Sequence, residues 1–370
     1  MITRLEIENF KAIRNLTVDL QPLTVLVGPN DSGKTTILQA LDVLARATTT
    51  ASLDQMGAEG DWQGYFPERD RTRAIRLAVE GTTTGPSDIG RYRYSIQLGY
   101  EENALRVLEE ELKFDNERGE RGLGFAFVLR ADGDSKWHGE STILNRDARS
   151  GGFAAAVRAD LSSRYIAFNP QALARPCPLN ARFEPDGSGL AALLHGMLSA
   201  PDRRPIEALD EGLRRLSPHV QNVAVDTLRT PGQVEAQLAL KPSRRGIYAR
   251  EASMGLLLAT GYLALMHGTT SQRFLVEEPE NGVHPRALRS IVDVLHEMAR
   301  VGRQVILTTH SPILLNYLEP QGVRVVTRDA DGVHVTPIAE TAHFDERARD
   351  FDLGELWYAI GEDTLVSNAS

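Results

Sequence analysis

Apolar positions along the chain change rhythm twice. The opening residues alternate, with Ile2, Leu5, Ile7 and Phe10 in "ITRLEIENF", followed by "LTVDL" and "LTVLVG". A two-residue period punctuated by turn residues predicts strands. Helical spacing then takes over in "TTILQALDVLARA", where Ile37, Leu38, Leu41, Leu44 and Ala45 fall on one face. Residues 48–71 are polar and read as a surface loop. From 73 to 130 short alternating runs return ("AIRLAVE", "RYRYSIQLGY", "LRVLEEELKF", "GFAFVLR"), which predicts an antiparallel meander closed by a polar loop over 131–152. Helical patterns follow around 153–163, 187–199 and 203–216, then two strands within 220–240.

The last third alternates by element: helix 252–267, strand 273–277, helix 285–300, strand 303–309 and helix 311–318. That order predicts a parallel sheet with crossover helices. It matches the opening residues better than the middle, so the expected organisation is an α/β core split in sequence. An N-terminal lobe (1–150) carries the meander, a mostly helical insertion covers 151–245, and a C-terminal α/β lobe covers 246–370. Residues 1–47 and 246–340 would form one core.

Composition narrows the class. Across 370 residues, 42% are hydrophobic and 25% charged, ordinary values for a globular chain. No apolar run reaches the roughly 20 residues of a membrane helix, and the N-terminus lacks the pattern of a secretory signal. Cys177 is the only cysteine, which excludes an intramolecular disulfide and a cysteine-based zinc site. A reducing cytoplasm is the expected setting, with no membrane partner. The net charge of −9 gives no overall attraction for nucleic acid and leaves only local patches to consider.

The chemistry begins at "GPNDSGKT", residues 28–35, a full match to G-x-x-x-x-G-K-[ST] between a strand and a helix. Such a loop folds backbone N–H groups around a phosphate, aided by the positive helix N-terminus. Asn30, Asp31, Ser32, Gly33, Lys34, Thr35 and Thr36 would form the nucleotide cradle. Lys34 would reach the β/γ-phosphates, and the Thr35 hydroxyl would ligate Mg²⁺. ATP and Mg²⁺ are therefore the expected cofactors.

Three further segments gain meaning beside that loop. "FLVEEPENGVHP" ends an apolar strand in Glu277 and Glu278, which are either solvated acids or servants of a metal and a water. Next to a phosphate loop, Glu277 suits the metal side and Glu278 the general base. "QVILTTHSPILL" places His310 at the end of the following strand, where a side chain would contact a γ-phosphate or serve structure alone. "EASMGLLLATGYLAL" sets Ser253 and Gly255 ahead of an apolar helix, either an ordinary cap or another anion site.

In order, "GPNDSGKTT", "ASMGLLLA", "FLVEEPENGVHP" and "TTHSP" resemble the ABC-type ATPase heads of the SMC, RecF and OLD (overcoming lysogenisation defect) group, and the opening "ITRLEIENFKAI" is similar to their first strand. The match covers about 1–47 and 245–340. It implies a P-loop NTPase of ABC-ATPase type, with a mixed central sheet, an antiparallel β meander and an inserted helical section. By this resemblance Lys34 and Thr35 take the Walker A roles, Glu277 the Walker B role, Glu278 the catalytic base and His310 the switch histidine. Asn281, Gly282 and His284 fall in the D-loop. Ser253 and Gly255 would contact nucleotide held by a second protomer, giving a homodimer with ATP sandwiched at its seam. Gln171 in "AFNPQALARP" falls in the Q-loop region, a nucleotide and metal contact. The Walker B acid is Glu where transporters carry Asp, as in the OLD-like branch, and Met254 and Leu256 depart from the usual signature. "PDGSGLAALLHGML", residues 185–198, is similar to a segment of OLD-like ATPases.

Other features set the limits. Sustained heptads are missing, which excludes SMC-type arms. The 60 residues after His310 are too few for the TOPRIM nuclease domain of OLD proteins, so a separately encoded effector is expected, in phage defence or DNA repair. Asp329 and Asp331 in "RDADG" would be the acids of a self-sufficient nuclease, but Asp-Gly between "GVRVVT" and "GVHVTPI" reads as a hairpin turn. Lys241, Arg244, Arg245 and Arg250, with Arg203 and Arg204, are the candidate DNA contacts. A third reading is an ATP-sensing subunit that does not hydrolyse.

Overall fold

The apolar triplets of the last third become the strands of a sheet buried on both faces. A computed structural model describes residues 1–49, 53, 62–67, 70–84, 89–101, 104–116, 126–130, 142, 144, 153–242, 246–341, 344 and 351–364. Chain order begins with β1 (Ile2–Phe10), β2 (Ile13–Asp19), β3 (Leu23–Val27) and α1 (Lys34–Thr49). The meander follows as β4 (Ile75–Thr84), β5 (Ile89–Glu101), β6 (Ala104–Asn116) and β7 (Ala126–Arg130). Next come α2 (Phe153–Leu161), β8 (Ser163–Ile166), α3 (Pro170–Leu173), β9 (Cys177–Pro178), α4 (Leu190–Ser199) and α5 (Arg204–Leu216). Then β10 (Val220–Thr227), β11 (Gln233–Leu240), β12 (Ile247–Tyr248), α6 (Met254–Gly268), β13 (Arg273–Glu277), α7 (Pro285–Arg300) and β14 (Gln304–Thr309). The described chain closes with α8 (Pro312–Leu315), β15 (Val323–Arg328), β16 (Val333–Pro337) and α9 (Leu353–Thr364).

The central sheet runs β16-β15-β3-β14-β13-β8, parallel throughout except for β16. Its strands alternate between two cores. Val25, Val27, Phe274, Val276, Val305 and Leu307 face one apolar cluster with α4, α5, α6 and α7. Leu26, Leu275 and Ile306, one residue out of phase, face the other, with α1 and the antiparallel sheet. Two covered faces explain why these strands read as unbroken apolar runs rather than as alternation. The sheet is thus mixed, as expected, and the P-loop NTPase architecture stands.

The second sheet has the order β2-β1-β4-β5-β6-β7 and is antiparallel at every pairing, so the meander forms as its alternating pattern predicts. β1 joins it by pairing with β4 and carries β2 at the edge, so β3 is the only strand of the opening residues in the central sheet. A third sheet, β10-β11-β12 with β9 on β11, follows the meander in sequence.

Several boundaries differ from the sequence reading. The 187–199 helix begins only at Leu190, because Gly189 is left-handed and a Cβ there would sit 2.1 Å from the Arg182 carbonyl oxygen. The 311–318 helix shrinks to α8, since Asn316 closes it and turns its side-chain oxygen to the Gly354 N–H at the start of α9. Strand β8 falls at the end of the stretch read as helix around 153–163. "SRYI" has only four residues with two polar ones and offers no alternation long enough to recognise. The loops at 48–71 and 131–152 lie largely outside the described residues.

Candidate active site

The phosphate loop leaves β3 and enters α1. Asp31 (φ 62°) and Gly33 (φ 108°) take left-handed backbone, curling the loop over its own amides. Gly28 packs so closely that a Cβ would lie 2.0 Å from the Val326 carbonyl oxygen on β15. Lys34 is buried and its Nζ donates to the carbonyls of Gly28 (2.8 Å) and Pro29 (2.6 Å). The Ser32 Oγ is buried with no hydrogen-bond partner. A buried lysine spanning the loop and an orphan hydroxyl within it fit an anion cradle, where phosphate oxygens would supply the missing acceptors. Asn30 and Thr36 flank that cradle in sequence.

Register then brings the acids to the loop. β13 and β14 are parallel with Glu277 opposite Thr308, so both strands end at the same edge of the sheet as β3. Thr35 Oγ1 donates to Glu277 Oε1 at 2.7 Å, and Tyr165 Oη donates to Glu277 Oε2 at 2.5 Å. With its hydrogen committed to Glu277, the Thr35 hydroxyl keeps its lone pairs for a cation. A hydroxyl beside a carboxylate is the donor set of a hard, octahedral ion such as Mg²⁺.

Glu278 bends out of the strand with a left-handed φ of 42°, held by its N–H to the Thr308 carbonyl at 3.1 Å. Its Oε1 lies 3.1 Å from His310 Nε2, and its Oε2 accepts from Asn281 Nδ2 at 2.8 Å. Strained backbone at a carboxylate held by two side chains is the arrangement of a positioned base. Glu280 holds the histidine from behind. Its Oε1 accepts from the Thr309 hydroxyl (2.6 Å) and the His310 N–H (2.8 Å), while its Oε2 is buried without a partner. Sequence reasoning passed over Glu280, although it lies within the quoted motif.

The remaining candidates lie around this centre. Gln171 sits in the first turn of α3, where its N–H is capped by Asn169 Oδ1. That turn abuts the D-loop, since a Cβ at Gly282 would lie 3.7 Å from Pro170 Cγ. The "PDGSG" segment buttresses it: Pro185 and Asp186 carbonyls accept from the N–H groups of Ala167 and Asn169. His284 caps α7, its Nδ1 accepting from the Arg286 N–H. Ser253 caps α6 and accepts from the Leu256 N–H, with Met254 53% exposed beside it. Gly255 packs against Ala287 of α7. Ser253 and Gly255 thus meet α6 and α7 rather than the phosphate loop of the same chain.

The described arginines of the basic clusters have partners already. Arg204 forks onto Asp202 (Nη2 to Oδ2, 2.8 Å), Arg203 donates to the Leu198 carbonyl, and Arg250 pairs with the buried Glu235 while stacking on Tyr248. Arg244 and Arg245 lie outside the described residues. Asp329 serves the hairpin: β15 and β16 pair antiparallel, and its Oδ1 accepts from the N–H groups of Asp331 and Gly332 and approaches His334 Nε2 at 3.0 Å. No grouping of three or more metal-ligating side chains occurs among the described residues.

Behind Tyr165 a cavity of about 320 Å³ is lined by Asp42, Arg46, Ser163, Glu184 and Leu265. Burial pushes the Asp42 carboxyl up to about 6, against the opposing pull of Arg46. A carboxyl that holds its proton more tightly folded than unfolded stabilises the fold at low pH, and that contribution is lost as pH rises from about 4 through 6. Asp42→Asn should therefore match the wild type near pH 4 and exceed it above pH 6. A gain of about 1–2 kcal/mol is expected, discounted for a side chain still 22% exposed. Urea unfolding midpoints at pH 4 and pH 8 measure it, and an equal difference at both would remove the assignment.

Residues 23–316 match the family model described as "AAA domain, putative AbiEii toxin, Type IV TA system". The chain is 26% identical over 352 residues to an OLD nuclease of Thermus scotoductus and 20% identical over 359 residues to the Old nuclease of Escherichia phage P2. Each alignment covers 90% of this chain but 63% and 60% of the relatives, so the chain spans less than two thirds of their length. Among solved structures it is similar to an Smc head bound to the C-winged helix domain of ScpA (TM-score 0.56, 13% identity, 90% of this chain and 97% of that one). It is also similar to an Smc head with an extended coiled coil bound to the C-terminal domain of ScpA, derived from Pyrococcus furiosus (TM-score 0.53, 12% identity, 90% and 95%). These likenesses show the ABC-ATPase head fold.

Proposed function

From the premise that the chain belongs to this AAA-domain family, as an ABC-type, OLD-like ATPase, we propose that it binds and hydrolyses ATP with Mg²⁺ at the phosphate loop, in a homodimer closed around nucleotide. The observation that carries the reading is the meeting of Thr35 with Glu277 and of Glu278 with His310, four residues from three separate segments, at one edge of the sheet. Lys34 and the loop amides would hold the phosphates. Thr35 and Glu277 would hold the metal, which would supply neutralisation of phosphate charge. Glu278 accepts a proton from the attacking water, and His310 and Asn281 fix its carboxylate for that task. Gln171, beside the D-loop, would complete the nucleotide and metal contacts.

Ser253 and Gly255 serve the nucleotide of a second protomer. Support comes from their surface position at the α6 N-terminus and from neighbours that do not include their own phosphate loop. The test is mass in solution. The Glu278→Gln protein should double in mass with Mg²⁺-ATP and return to monomer without it. A monomer under both conditions would remove the sandwich, while a dimer under both would remove ATP as its trigger.

The cycle would switch an effector, in phage defence or DNA repair within the cytoplasm. Among the described residues no helix is long and apolar enough to cross a membrane. Direct DNA contact is the less favoured part of this reading, because the described arginines of the basic clusters already have partners. A self-sufficient nuclease built on Asp329 and Asp331 is disfavoured on similar grounds, since the Asp329 carboxylate is spent on the hairpin turn.

A further inference from the structure

Glu277 receives one hydroxyl on each oxygen: Thr35 on Oε1 and Tyr165 on Oε2. The first contact follows from the phosphate-loop motif. The second belongs to no motif and comes from β8, the edge strand parallel to β13, whose register places Tyr165 opposite Leu275. We propose that Tyr165 is a positioning residue for the metal site, fixing the Glu277 carboxylate so that its remaining lone pairs face the ion or its bound water. The inference rests on the reading of Glu277 as the metal-side acid.

Three features make Tyr165 suited to that role. Its ring is half-buried against the sheet edge, so the hydroxyl is delivered by a rigid arm with few rotors. Its hydroxyl donates to Glu277 Oε2 at 2.5 Å, on the oxygen that Thr35 leaves free. The strand that carries it is anchored at its base, where Arg273 bonds Ser163 Oγ at 3.3 Å and the carbonyls of Asp160 and Leu161. A carboxylate held through both oxygens loses little freedom on meeting a metal, whereas one held through a single oxygen must be ordered at that step. Groups that orient a metal's ligands in this way commonly govern affinity by 10–100-fold.

The test uses Tyr165→Phe in the full chain, which keeps the ring and removes only the hydroxyl. Mn²⁺ binding is followed by electron paramagnetic resonance in the presence of a non-hydrolysable ATP analogue, beside wild type and Glu277→Gln. Tyr165→Phe should weaken Mn²⁺ binding by about tenfold. It should raise the Mg²⁺ needed for half-maximal turnover by a similar factor, with nucleotide binding in EDTA and the unfolding midpoint unchanged. Wild-type Mn²⁺ affinity in Tyr165→Phe, with a weakened Glu277→Gln, would overturn the role of Tyr165 and leave that of Glu277 intact. Unchanged affinity in both variants would remove Glu277 from the metal site altogether. A loss of nucleotide binding in EDTA would show Tyr165 to be a structural support of the phosphate loop instead.

Discussion

Glu278→Gln is expected to bind ATP as well as the wild type and to turn it over at least a hundredfold more slowly. The exchange keeps shape and size but removes the charge proposed to accept a proton. A positioned general base contributes about 10²- to 10⁴-fold to such a reaction. In this chain the carboxylate is aimed by a left-handed backbone, by His310 at 3.1 Å and by Asn281 at 2.8 Å. Ground-state binding should be spared, because the phosphates would be held by Lys34 and the loop amides rather than by the Glu278 carboxylate.

Neighbouring variants sharpen that expectation. His310→Ala and Asn281→Ala each loosen the base without removing it, so each should cost turnover less than Glu278→Gln does. Combining either with Glu278→Gln should add little, because residues acting as one unit are not additive. Phosphate release and equilibrium nucleotide binding are the paired measurements. Unchanged turnover in Glu278→Gln would move the base elsewhere or make the chain an ATP sensor that never hydrolyses. Turnover and binding lost together would instead make Glu278 part of the binding site.

How much of this site was legible in the sequence depends on how local each part is. The phosphate loop is contiguous, and its glycines and Lys34 carry their roles in one short motif. Glu277 and Glu278 were visible because two charges directly after an apolar run are costly without a purpose. His310 was visible because consecutive parallel strands end at the same edge. Tyr165 was hidden, since its strand is four residues long and its role depends on which strand borders β13. Glu280 was hidden for a related reason: its bonds to Thr309 and His310 come from the β13–β14 register, which sequence spacing does not specify. β1 and β2 show the converse limit. Their alternation predicts strands correctly, but alternation does not name the partner: β1 pairs with β2 and β4, and neither strand pairs with β3.

The same dependence on register explains why Arg273→Met should be the most damaging change to stability. Arg273 is 1% exposed, and its guanidinium donates to Gln304 Oε1 (2.9 Å), Ser163 Oγ (3.3 Å) and the carbonyls of Asp160 (3.1 Å) and Leu161 (3.5 Å). Gln304 passes the connection on, its Nε2 donating to the carbonyls of Ile2 and Gln21. One side chain thus ties β8, β13 and β14 together at the end of the sheet away from the phosphate loop, and reaches β1 through Gln304. Methionine matches the length but withdraws the donor from the Asp160 and Leu161 carbonyls and from the Ser163 hydroxyl, and leaves Gln304 Oε1 with only the Ile2 N–H, in a buried setting. Removing one partner of a buried charged network costs about 3–5 kcal/mol. Arg273→Lys should not rescue it, because a single ammonium cannot span acceptors that a planar fork reaches on several sides. Urea unfolding measures the loss directly. A well-packed apolar replacement can also be neutral, and a Met variant within about 1 kcal/mol of wild type would show that packing rather than the polar tie holds these strands. Mn²⁺ affinity read on the same variant separates the two outcomes further. If Arg273 sets the β8 register, the Tyr165–Glu277 contact at the other end of these short strands should loosen with it, and metal binding should weaken even where the protein remains folded.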